Sequence, residues 1–153
     1  MQTTSFSEIA ESFIERVHQM VWCNVATVDR HGRPRSRVLH PIWELVDGGA
    51  IGWIATGRHT LKTKHLAARP YLSIAYIADP LKPIYAECHA EWADDPATKE
   101  RIWNWLKETP PPLGYDNGLF WGTVENPAFG VLKLTPWRVE LADLFGDTAV
   151  WQP

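Results

Sequence analysis

The chain has 153 residues, 45% of them hydrophobic and 22% charged, with a formal net charge of −3. That length favours one domain, 1–153, large enough to bury a core without metal or disulfide staples. The slightly acidic balance gives no support to a nucleic-acid partner, and no apolar run approaches the roughly 20 residues of a membrane-spanning helix.

Residues 1–15 mix carboxylates, polar groups and isolated apolar side chains, unlike a secretory signal peptide. Ser5 and Glu8 have the spacing of a capping box. Behind them Ile9, Phe13, Val17 and Met20 recur at helical intervals, predicting an amphipathic helix that ends near Gln19. Residues 21–28 are β-rich, 29–34 (DRHGRP) are loop chemistry, and 35–43 read as the returning strand of a hairpin. Asp47-Gly48-Gly49 marks a tight turn before a strand over 50–56. Successive strands on short turns predict a meander. A short helix is expected over 61–68, stopped by Arg69-Pro70, because the residue before proline resists the helical region. Strands follow over 71–77 and 84–92. Asp95-Pro96 is an N-cap and first-turn pair for a helix running to about Lys107, ended by the prolines after Thr109. Residues 113–128, rich in Gly, Pro, Asn and aromatics, read as an ordered surface loop, and 129–135 and 137–142 as two strands split at Pro136. About six or seven short strands with helices at the margins predict a mainly β fold, an antiparallel barrel. An open sheet with helices on one face is the alternative that periodicity leaves open.

The chemistry-bearing residues are few. Histidines are scattered with no HxxxH or HExxH spacing, so no metal site is expected. Cys23 and Cys88 lie far apart without CxxC spacing, which excludes a zinc ribbon and suits a reducing, cytoplasmic setting. No GxSxG or other nucleophile constellation is present, so no catalytic side chain is identified, and an enzyme built on this chain would need a cofactor. Two stretches stand out. The turn 56–62 (TGRHTLK) joins a strand to a helix and carries Thr56, Thr60, Arg58 and Lys62, an arrangement able to hold a phosphate on unpaired helix-start amides. It reads equally as an ordinary turn capped by Thr60. Arg33, Arg35 and Arg37 alternate along a strand and form either one positive stripe or a solvated face. Nine tryptophans suit a core, or an interface that receives a large flat partner.

The order of these pieces resembles the pyridoxamine-5′-phosphate oxidase-like flavin-binding split-barrel family. The resemblance rests on Ala26-Thr27-Val28 before a Gly-Arg-Pro turn, Arg37-Val38-Leu39, Ala55-Thr56, Thr60 and Lys62, Leu66, Pro70, Leu72-Ser73 and Ala90-Glu91. It implies a six- to seven-stranded split β-barrel and a homodimer with FMN sites at the subunit interface. By position, Arg37 and Lys62 would hold the FMN phosphate with the hydroxyls of Thr56 and Thr60. Val38, Leu39 and His40 would run along the isoalloxazine with Ala55 beside it. The partner subunit would supply an aromatic lid, for which Trp121, Phe129 and Trp137 are candidates. Leu61, also expected at the cofactor, stands where the vitamin-processing oxidases carry Arg, and the last residues, LFGDTAVWQP, lack their RLHDR-like substrate segment. The implied activity is therefore hydride transfer through the flavin with an unidentified small molecule, as in the short general-stress-protein branch, and not pyridoxamine-5′-phosphate oxidation. The alternatives are a deazaflavin-dependent reductase, with Arg58, His59 and the arginine stripe serving the acidic tail, or a carrier or sensor for flavin, deazaflavin or haem.

Overall fold

The computed structural model describes residues 2–3 and 5–153, and among them nine strands and four α-helices. In chain order these are β1 (Gln2–Thr3), a 3-10 turn (Phe6–Glu8), α1 (Ala10–Met20), β2 (Cys23–Val28), β3 (Pro34–Leu39), β4 (Ile42–Val46) and β5 (Gly49–Gly57). There follow α2 (Leu61–Ala68), β6 (Tyr71–Tyr76), β7 (Ile84–Trp92), α3 (Pro96–Glu108), α4 (Gly118–Trp121), β8 (Phe129–Leu141) and β9 (Ala149–Trp151).

Alternation decides the architecture. In β2, β6 and β7 every second side chain is buried, so each strand has one face to hide. The sheet hides these faces by curling around one interior, which Phe13 and Val17 of α1 plug from one end. Strand order is β1-β9-β8-β7-β6-β2-β3, with β5 continuing from β8 and β4 from β5. All pairings are antiparallel except β1 with β9. β3 and β4 follow each other in the chain across His40-Pro41 but are not hydrogen-bonded to one another, and this open seam makes the barrel split. A second, smaller core under α3 gathers Trp53, Ile102, Trp103, Leu106, Phe129 and Val131.

The mainly β split barrel is the expected fold, with corrections of detail. There are nine described strands where six or seven were expected, the extra ones being the short β1 and β9 and the division of 35–43 into β3 and β4. The meander is not formed. The expected hairpin of β2 with β3 is formed and β4 pairs with β5, but Pro41, which has no N–H to give a ladder, falls between β3 and β4, and the other edge of β2 goes to β6. The 129–142 region is one continuous strand, because a bulge in the β7–β8 register absorbs Pro136 and leaves Trp137 as the unpaired extra residue. The Ser5–Glu8 capping box is present, but it closes the 3-10 turn, and α1 starts one residue later with no side-chain cap. The loop 113–128 contains the single helical turn α4.

Candidate functional site

Below Trp53 the β5 strand loses its β4 partner, since their register runs only from Ile42 opposite Trp53 to Val46 opposite Gly49. Ala55 and Gly57 therefore face the seam with one backbone edge unpaired by strand, while β3 is paired only on its β2 side. Between these edges lies an open cleft of about 390 Å³. One wall is strand: Val38, Leu39 and His40 at the end of β3, with Ala55, Thr56 and Gly57 of β5. The other is a strap after α3, where Pro112, Tyr115, Leu119, Phe120 and Trp121 face the cleft.

The strap is fixed at both ends. A Cβ on Gly114 would land on the Thr109 carbonyl, so only glycine lets the chain pass so close to the end of α3. The Tyr115 N–H then donates to the Leu106 carbonyl (2.9 Å), and its hydroxyl to the Ala55 carbonyl (3.4 Å). Asn117, at the N-cap of α4, is fully buried and neither amide atom has a partner. Trp22 enters from a strained link. Val21 has φ 64° and ψ −63°, and the Trp22 N–H donates to the Met20 carbonyl at 2.7 Å, a γ-turn that a β-branched residue adopts only at a cost of order 1–3 kcal/mol. The turn buries Val21 and leaves Trp22 53% exposed at the cleft. His40 sits edge-on between Trp22 and Tyr115, with ring centroids 4.5 and 4.7 Å away. Burial lowers the His40 pKa against a smaller upward pull from the Leu113 backbone, so the ring is neutral at pH 7, and its Nε2 is buried without a partner.

At the β3 side the site becomes cationic. Lys62, in the first turn of α2, is only 7% exposed. Its ammonium donates to the Thr60 hydroxyl at 2.8 Å. Arg37 donates from one guanidinium nitrogen to the Val25 and Arg35 carbonyls and to the Thr27 hydroxyl, and Thr27 in turn meets His65 Nδ1 at 2.8 Å. Burial and then the charge of Arg37 bring the Lys62 pKa down to about 8. Burial, then Arg35, lowers that of Arg37. Among the described residues no carboxylate pairs with either cation. A buried charge is normally paired, so an uncompensated pair of cations beside a helix start is the arrangement of an anion site.

The structure thus gathers Val38, Leu39, His40, Ala55 and Thr56 on one cleft, while Arg37, next to Val38 in β3, and Lys62 of α2 interact with each other outside its lining. Thr60 occupies the N-cap of α2 but makes no capping bond, its hydroxyl being taken by Lys62. Leu61 is 46% exposed on the outer shoulder, away from the cleft. The arginine stripe does not survive folding: Arg33 lies before β3 and pairs with Asp29 at 2.7 Å. Arg58 is likewise engaged, by Asp94 at 3.0 Å and by stacking over the Trp92 ring. Phe129 has no exposed surface and packs against Trp103 and Trp121, so it cannot act as a lid on a partner. Trp121 lines the cleft of its own chain, and Trp137 is 41% exposed at the bulge, outside it. Trp22, Tyr115, Leu119 and Phe120 were not singled out from the sequence. For the last three the only signal is the density of aromatics in a Gly- and Pro-rich loop, and Trp22 carries none. Thr27 and His65, which seat Arg37, carried none.

Residues 9–141 match the family model described as pyridoxamine 5′-phosphate oxidase. No curated protein matches the chain in sequence. In structure the chain is similar to a Clostridium acetobutylicum protein related to general stress protein 26, with TM-score 0.72, 17% identity, and 96% of this chain and 95% of that one covered. It is similar to a second Clostridium acetobutylicum protein, of the NimC/NimA family, with TM-score 0.74, 15% identity and coverage of 97% and 94%. A pyridoxamine 5′-phosphate oxidase-related, FMN-binding protein of Nostoc punctiforme gives TM-score 0.64, 18% identity and coverage of 90% and 84%.

Proposed function

The chain belongs to the pyridoxamine 5′-phosphate oxidase-like family, and we propose that it binds FMN at the β3–β5 seam and serves as a flavin-dependent oxidoreductase for a small molecule. The observation that carries this reading is Lys62: a buried ammonium next to Arg37 with no carboxylate to balance either. A dianionic phosphate would supply the missing charge through charge-assisted hydrogen bonds. Thr60, already at hydrogen-bond distance from Lys62, would orient that ammonium and add a hydroxyl donor. Val38, Leu39, His40 and Ala55 would line the ring, and Thr56 would close the β5 side. Small side chains at Ala55 and Gly57 leave the strand edge open to a flat ring. The neutral His40 offers its unpartnered Nε2 for a hydrogen bond. Bound FMN supplies hydride and electron transfer; the protein residues hold it, keep water from the ring with the aromatic strap, and leave no charge in the cleft wall.

Of the cations proposed for a deazaflavin's long acidic tail, Arg33 and Arg58 pair with Asp29 and Asp94, while Arg35 and His59 make no ion pair among the described residues. A homodimer belongs to the same reading. Val38 is 60% exposed and Leu61 46%, so apolar surface flanks both sides of the phosphate end and suits cover by a second copy. The buried free thiols of Cys23 and Cys88 suit a reducing cytoplasm. The visible spectrum of the purified protein, reconstituted with FMN if colourless, tests the function. Flavin bands with a shifted, quenched signal are expected. A protein that takes up no FMN on titration refutes the reading, and a Soret band with haem would give the site to a carrier.

A further inference from the structure

We propose that the strap wall of the cleft is the substrate seat, and that it takes a planar, uncharged aromatic molecule and turns away anionic ones. This rests on the flavin reading above, with the ring along the strand wall and the substrate between the ring and the strap. The lining carries no Asp, Glu, Lys or Arg. Its one titratable ring of ordinary neutral range, His40, is held neutral by burial. The strap contributes Tyr115, Phe120 and Trp121, whose rings meet one another at centroid distances of 5.9 Å (Tyr115 to Phe120) and 5.6 Å (Phe120 to Trp121). Edge and face contacts of this kind reward a flat aromatic guest beyond the area it buries.

Charge makes the second half of the case. An anionic substrate needs a cation that the cofactor has not taken. Arg37 and Lys62 serve the flavin phosphate, Arg58 is held by Asp94 and Trp92, and Arg33 by Asp29. An anion seated on the strap would lose its water among aromatic rings with no compensating donor of opposite charge. The tips of the strap, Leu119 at 81% and Phe120 at 68% exposure, stand open in the free chain. Solvent-exposed apolar tips on a strap anchored by Gly114 and Tyr115 suit a guest that arrives and leaves, since the wall itself stays fixed.

The test uses the FMN-loaded full chain and two probes that share a naphthalene ring, the neutral 2-naphthol and the anionic naphthalene-2-sulfonate, titrated by calorimetry. The expected result is binding of 2-naphthol at least tenfold tighter than of the sulfonate. Phe120→Ala should weaken 2-naphthol by about 3- to 10-fold, the range of one lost aromatic contact. Leu119→Lys should narrow the gap between the probes by giving the anion a partner. Equal affinity of the two probes, or a Phe120→Ala protein that binds 2-naphthol as before, overturns the seat while the flavin reading stands. A Phe120→Ala chain that loses its dimer and leaves probe affinity untouched gives the strap tips to a second copy and also overturns it. Failure of the wild-type chain to load FMN at all removes the flavin reading and this one with it.

Discussion

The cation pair of β3 and α2 and the strap wall of the cleft carry opposite kinds of cost. At the β3–α2 end, two cations share a partly buried space with no counter-charge, and burial lowers both pKa values. At the strap end, Leu119 and Phe120 are apolar and stand in water. Each feature disfavours the free protein by itself: the first through desolvated like charge, the second through exposed hydrocarbon. A bound phosphate would relieve the first and a flat aromatic guest the second. The contrast teaches that a binding site is recognisable as a set of unfavourable local choices that its ligands would offset.

The largest effect on this contrast is expected from Lys62→Ala. Losing a charge-assisted phosphate contact should weaken FMN by about 1.5–3 kcal/mol, roughly 10- to 150-fold, measured by quenching of flavin fluorescence on titration. Stability should move the other way. Lys62→Met keeps the apolar stem and removes the buried charge, so the melting temperature of FMN-free protein should hold or rise. A clear fall in melting temperature would show that Lys62 is structural and break the comparison.

The pH dependence of binding comes next. Lys62 titrates at about 8 in the free protein, and bound phosphate favours its charged form. FMN affinity should therefore be level between about pH 6.5 and 8, where the phosphate is dianionic, and fall above pH 8 by up to about tenfold per pH unit, while riboflavin, which has no phosphate, shows no such fall. The sign for stability is again opposite. The folded pKa lies below the ordinary 10.5, so the unfolded chain binds more protons between about 8 and 10.5, and FMN-free protein should gain stability as pH rises through that window. A parallel rise or fall of binding and stability would contradict the assignment.

The smallest expected effect lies away from both ends and keeps the two windows separate. His18 on α1 accepts the Trp43 N–H at 3.0 Å through Nε2 and must be neutral to do so. Burial lowers its pKa below 6.5. Its contribution is thus complete above pH 6.5 and is lost as pH falls through 6.5 toward the lowered value, by no more than about one hydrogen bond, ~1 kcal/mol. Urea midpoints between pH 5 and 7 should show this slope, and His18→Gln should flatten it without touching the FMN curve above pH 8.

Much of the frame was legible because it is local. The helix 61–68 and the strand 84–92 have the bounds that Pro70, Pro83 and the alternation of Ala86, Cys88 and Ala90 suggest. Asp95 caps α3 through the Thr98 N–H at 2.9 Å, as an Asp-Pro pair predicts. Errors arose where a distant partner decides. Residues 34–39 pair with β2 and 42–46 with β5, so 35–43 is not one strand, and the other edge of β2 goes to β6, almost fifty residues away.

The candidate site divides along the same line. Sequence alone determined that Arg37 stands on a strand, Thr56 near a strand end, and Thr60 and Lys62 at a helix start, because turn chemistry and period are written in neighbouring residues. Only the tertiary structure decided which cations are free. Arg58 and Arg33 look as available as Lys62 in the string, yet Asp94 and Asp29 neutralise them, while Lys62 is buried beside Arg37 with no acid in reach. It alone decided, too, that the 113–122 strap faces β5, since that rests on Gly114 passing over the end of α3 and on Tyr115 reaching the Ala55 carbonyl. The physical reason is common to both. Burial and pairing are sums over everything that surrounds a side chain, and most of what surrounds these lies far away along the chain.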